Sequence, residues 1–145
     1  MAQCVFADLA ARAGVGALFA VDSRATSTEE IGNPPHPGTV AKLREQGIPL
    51  IPHRAQQLTM SDYKRWDLII GMDGANVRTI LRLTGGDPDG KVHRLLEYAG
   101  ASRDIADPWY TGDFDQTYAD VAAGCAALLA ALAPRAETAG AHNFR

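Results

Sequence analysis

The clearest strand in this chain is Leu68-Ile69-Ile70-Gly71-Met72, an apolar run closed on either side by Asp67 and Asp73. Asp73 stands where an N-cap would open a helix over residues 75–83, and Thr84-Gly85-Gly86-Asp87-Pro88 stops that helix. A short strand that passes directly into a helix is the building unit of α/β folds with a parallel sheet.

The other segments follow the same alternation. Apolar residues at Val5, Phe6, Leu9, Ala10 and Ala13 have helical spacing, and Gly14 sits where a C′ glycine closes a helix. Residues 17–21 form a continuous apolar run ending at Asp22-Ser23, which suits a strand covered on both faces. After a loop with Gly32, Pro34, Pro35 and Pro37, a short helix is expected over residues 39–46, closed by Gly47. Residues 50–52 read as extended, and Thr59 caps a short helix ending near Trp66. Residues 92–95 are a further short strand. Phe114, Tyr118, Val121, Ala122, Cys125, Leu129 and Leu132 then mark the stripe of a long last helix.

Composition narrows the function classes. The 145 residues carry 14 Lys and Arg against 17 Asp and Glu, a net charge of −3 without a basic cluster, so nucleic acid is not an expected partner. The stretch 126–133 is too short to span a bilayer, and no basic and apolar leader follows Met1, so a cytoplasmic protein away from membranes is expected. Two cysteines far apart, Cys4 and Cys125, make neither a disulfide framework nor a zinc pattern. His36, His93 and His142 lack neighbours at metal-ligand spacing, so no metal and no cofactor is expected. One domain over residues 1–135 with a flexible tail over 136–145 fits these totals.

Several short runs carry a more specific signal: Val21-Asp22-Ser23, Thr28-Glu29-Glu30-Ile31-Gly32-Asn33-Pro34, Gly47-Ile48, His53-Arg54-Ala55, Asp67 to Asp73 with Asn76, and Asp107-Pro108-Trp109-Tyr110. In this order the chain resembles the low-molecular-weight protein tyrosine phosphatase family over nearly its whole length. The resemblance implies a three-layer α/β domain with a four-stranded parallel sheet in the order 2-1-3-4. Strands two, three and four then fall at residues 18–22, 68–72 and 92–95. The first, central strand is missing from the chain as given, as is the C-x5-R loop that follows it in the family. Cys4 is followed six positions on by Ala10 and Cys125 by Ala131, so no C-x5-R occurs in the sequence.

The same resemblance assigns roles. Asp107 is the expected general acid, which protonates a tyrosyl leaving oxygen and later activates water. Read without the resemblance, Asp-Pro is simply a turn. Trp109 and Tyr110 are expected to border the pocket for a phenyl ring. Glu29 and Glu30 occupy a loop where many family members carry an aromatic wall, a departure that would favour substrates with basic neighbours. The implied function is hydrolysis of phosphotyrosine esters, on proteins or small aryl phosphates, through a cysteinyl-phosphate. Without nucleophile and arginine the chain alone is expected to be inactive, the sequence starting at an internal methionine of a longer phosphatase. Two alternatives stay open: a non-catalytic relative that binds acidic or phosphorylated partners or self-associates through exposed strand edges, and an arsenate reductase, which would need further cysteines for thiol exchange.

Overall fold

The structure is a computed structural model, in which residues 1–28 and 31–138 are described. Helix α1 (Ala2–Arg12) turns Cys4, Val5, Phe6 and Ala10 inward, and Gly14 follows it at φ 76°. Helix α2 (Pro37–Glu45) starts two residues before the expected boundary. The difference comes from Pro37, whose fixed φ suits the first helical position, and from a side-chain cap supplied by His36. Thr59 opens α3 (Met60–Arg65) through a capping box with Asp62.

Strand β1 (Ile69–Gly71) leads into α4 (Gly74–Thr84), whose N-terminus is capped by Asp73 Oδ1 accepting from the Asn76 N–H at 2.6 Å. The chain returns as β2 (Val92–Arg94), parallel to β1 with Ile69 opposite Val92 and Gly71 opposite Arg94. The expected third and fourth strands are therefore parallel neighbours. Leu95 leaves the expected strand and begins a 3-10 turn, Leu95–Ala99, that buries Leu95 and Leu96. A short helix α5 (Pro108–Thr111) precedes the long α6 (Phe114–Thr138). Most of the tail expected from residue 136 lies outside the described residues.

Residues 18–22 do not form the expected strand. A 3-10 turn takes Gly16–Leu18, and Phe19 then enters extended backbone at φ −128° and ψ 136°. Extended geometry becomes a strand only with a ladder partner, and among the described residues none flanks this segment. Its continuation touches the rest of the fold at an isolated parallel bridge between Ala25 and Gln57.

Helix α6 organises the core. Val121, Cys125, Leu128 and Leu132 are buried in one cluster with Val5, Phe6, Leu43, Leu95 and Ile105. By length and composition alone, residues Phe114–Ala133 could cross a membrane, a wider apolar window than residues 126–133 suggested. Here the same residues supply the inner stripe of a packed α/β layer. Gly124 lets the Leu95 turn approach α6 closely, because a Cβ at this position would lie 2.5 Å from Leu95 Cγ.

The segment between that turn and α5 is held at several points, Asp104 accepting from the Gly74 N–H and from Arg94 among them. The Ile105 N–H donates to the Met72 carbonyl at the end of β1, and the Thr117 hydroxyl donates to the Ala106 carbonyl at 2.9 Å. Arg103 donates a two-pronged hydrogen bond to Asp120 at 2.8 and 2.7 Å, and Gln116 adds a third donor. The Arg103 guanidinium holds the Asp120 carboxyl below its ordinary range against an opposing effect of burial.

Two outcomes follow from this packing. Gly124→Ala should destabilise the chain by about 1–3 kcal/mol in urea unfolding, since overpacking against Leu95 outweighs the gain in helix propensity of about 1 kcal/mol. A stabilised variant would show that the approach is looser than the structure has it. Asp120, with a depressed folded pKa, stabilises the fold fully above its unfolded value of about 3.9 and less as pH falls through the folded value. Asp120→Asn should therefore flatten the fall in stability measured by urea titrations between about pH 5 and pH 2; an unaltered slope would mean the ion pair does not form.

Candidate active site

The loop that carries Asp107 is built by a cap. Asp107 is the N-cap of α5, and its Oδ1 accepts the Trp109 N–H at 2.9 Å. Pro108 takes the first helical position, and Gly112 at φ 71° ends the turn after Thr111. The turn reading of Asp-Pro and the site reading are thus compatible, because the capping bond uses only Oδ1. Among the described residues Oδ2 has no hydrogen bond.

Asp107 and Trp109 line a cleft of about 620 Å³. One side is β1, whose pairing with β2 leaves its other edge without a ladder among the described residues. The extended segment through Val21 and Asp22 also lines it, and Phe6, Val121, Cys125 and Leu128 give it an apolar lining. Ser23, Asp73, Asn76 and Asp107 add polar groups. The start of α1 opens on the same space through Met1, Ala2 and Gln3. Met1 is the N-cap of α1 and supplies no side-chain cap, so the first N–H groups and the positive end of the helix dipole are available to an anion.

Gln3 ties that helix end to the extended segment. Its amide nitrogen donates to the Val21 carbonyl at 3.2 Å, and the Ser23 hydroxyl donates to its carbonyl oxygen. Arg24 is engaged in turn by Asp22 at 2.8 Å and Asp62 at 3.4 Å. His53 Nδ1 stands 3.8 Å from Asp22, outside the cleft lining.

The other residues singled out by sequence distribute unevenly. Tyr110 is 81% exposed and is not part of the cleft wall, whereas Trp109 is 57% exposed and is. Glu29 and Glu30 lie outside the described residues. Cys4 is buried, and its sulfur accepts the Ile51 N–H at 3.5 Å. Cys125 lies in the cleft lining, but burial pushes its thiol up to about 12, so it is a packing residue and a poor donor of thiolate for exchange or attack. Among the described residues no three His, Cys, Asp or Glu side chains converge as a metal site.

Sequence reasoning missed the groups that hold the acid loop. His36 meets Trp109 edge to face with ring centroids 4.8 Å apart and stacks on Phe114 at 5.3 Å. Thr117, Asp120 and Arg103 are invisible as a set because their spacing becomes meaningful only once α6 packs beside residues 103–106. Pro37 at the first helical position was the one signal that could have marked His36 as a cap.

Comparison with known proteins identifies the family. The family model described as "Low molecular weight phosphotyrosine protein phosphatase" matches residues 1–138. The chain is 37% identical over 134 residues to the low molecular weight protein-tyrosine-phosphatase YfkJ of Bacillus subtilis, covering 91% of this chain and 86% of that protein. It is 33% identical over 134 residues to the Homo sapiens low molecular weight phosphotyrosine protein phosphatase, covering 89% and 84%. The crystal structure of YfkJ superposes with a TM-score of 0.88 at 35% identity over 92% of this chain and 86% of that one. That of SP-PTP from Streptococcus pyogenes gives 0.79 at 34% over 90% and 82%. The chain belongs to the low molecular weight phosphotyrosine protein phosphatase family.

Proposed function

We propose that this site serves the hydrolysis of phosphotyrosine esters, with Asp107 as general acid and then general base. The observation that carries the reading is Asp107 on the wall of a cleft onto which the N-terminus of α1 opens. A thiolate attacking phosphorus breaks the bond to the tyrosyl oxygen, and that oxygen needs a proton to leave. Asp107 supplies it from Oδ2, since the Trp109 N–H occupies Oδ1 and favours the proton on the other oxygen. The carboxylate then takes a proton from the water that hydrolyses the cysteinyl-phosphate. Trp109 at the cleft wall, with Tyr110 beyond it, borders the space for the phenyl ring. Glu29 and Glu30 favour basic residues next to the phosphotyrosine.

The nucleophile and the arginine fork are not among these 145 residues, because Cys4 and Cys125 are buried and neither begins a C-x5-R. The chain alone is therefore expected to be inactive, and a strand with a C-x5-R-Ser-Pro segment fused to its N-terminus is expected to supply the nucleophile and arginine. The outer edge of β1, which has no ladder among the described residues, favours self-association. A cytoplasmic setting suits a thiolate enzyme.

Purified chain should hydrolyse an aryl phosphate near pH 5–6 no faster than buffer; activity that scales with protein and disappears in Cys4→Ser would overturn the assignment of the nucleophile. With such a segment fused, Asp107→Asn should lower turnover by about 10²–10⁴-fold on a tyrosyl phosphate. The loss should shrink on an ester whose leaving group needs no proton. Equal losses on both esters would remove Asp107 from the acid role.

A further inference from the structure

We propose that His36 is a positioning residue for the acid loop, its imidazole clasping Trp109 and through it the backbone that holds Asp107. The clasp begins at α2, where His36 Nδ1 accepts the Gly38 N–H at 2.9 Å. That bond places the ring hydrogen on Nε2 and fixes the ring against the start of the helix. The fixed ring meets the Trp109 indole at 4.8 Å and 81°, the edge-to-face geometry that aromatic pairs prefer. Its face lies against Phe114 at 5.3 Å and 28°. Phe114 in turn occupies the space that a Cβ on Gly38 would need, so the first turns of α2 and α6 close around the imidazole.

Trp109 gives the clasp its consequence. The residue is more than half exposed, so general burial does not fix its ring, while its backbone N–H is the donor to Asp107 Oδ1. A line of contacts therefore runs from Gly38 to His36, from His36 to Trp109, and from Trp109 to the carboxylate. The α5 turn is only four residues long and cannot hold its geometry by helix cooperativity. An external hold on its second residue is what keeps the capping bond made. The catalytic meaning of this clasp rests on Asp107 being the acid; its existence does not.

The test uses the full chain with Trp66→Phe, which leaves Trp109 as the one indole of the two in the sequence. Acrylamide quenching reads the mobility of the ring, and NMR exchange of the Trp109 amide reads the bond to Asp107. His36→Asn keeps a capping oxygen for α2 but removes the ring, and His36→Phe keeps a ring but removes the acceptor. In His36→Asn the quenching rate and the amide exchange rate should both rise at least about twofold, with circular dichroism unchanged; in His36→Phe both should rise less. His36→Gln, a second ring-less variant, gives the same reading should the asparagine variant not fold. Unchanged quenching in the ring-less variants overturns the clasp. Quenching that rises without faster amide exchange also overturns it, since the ring would then be held without positioning the acid. Neither readout needs turnover, so failure here is distinct from failure of the leaving-group test of Asp107.

Discussion

The packing of α6 is the constraint on which the other parts depend. Its inward residues recur at helical spacing, and each turn holds a different element. Phe114 lies on Gly38 of α2, Thr117 and Asp120 hold residues 103–106, Gly124 receives Leu95 at the end of β2, and the Cys125 thiol faces the Ala2 carbonyl at 3.7 Å. Hydrophobic burial of Val121, Cys125, Leu128 and Leu132 drives the association without direction. The polar bonds at Thr117 and Asp120 add the direction, because each fixes a geometry to named partners, Ala106 for Thr117 and Arg103 with Gln116 for Asp120. One amphipathic helix thereby sets where the start of α1 and the acid loop stand around the same cleft.

What could be read from sequence was local. The Thr59 and Asp73 caps, the α6 stripe and the strand at 68–72 each depend on residues within a few positions of one another, and all appear in the structure. The turn opened by Asp107 was legible because Asp-Pro is contiguous, and in the structure Asp107 caps α5. The strand at 18–22 misled, since an apolar run states a preference for burial and not the presence of a ladder partner. His36 was illegible for a different reason: histidine is a rare cap, and its aromatic partners lie more than seventy residues away in sequence. Arg103 and Asp120 read as ordinary surface charges until the chain brings them together across 17 positions.

The cleft makes opposed demands on its walls. An apolar floor of Phe6, Val121 and Leu128 lowers the local polarity, which strengthens any charge interaction at its margin and penalises any ion without partners. Cys125 shows the penalty directly, as its thiol is driven far from ionisation by burial. The α1 terminus shows the gain, offering uncompensated N–H groups where an anion would be welcome. A reactive thiolate belongs beside that terminus and not in the floor, for the same reason that Cys125 is inert.

In the proposed role of general acid, Asp107 has to satisfy two requirements that usually conflict. A carboxyl that delivers a proton must reach substrate, yet an exposed side chain on a four-residue turn has many rotamers and delivers poorly. The cap resolves this by spending one oxygen on order and leaving the other for chemistry. Oδ1 holds the Trp109 N–H, so the carboxyl plane is set by the backbone of the turn, and Oδ2 is left without a hydrogen bond among the described residues. Pro108 removes a donor that would otherwise compete at the first position, and Thr117 fixes the carbonyl immediately before Asp107. The carboxyl is thus placed by backbone and neighbours while it remains exposed, and burial is not needed to aim it.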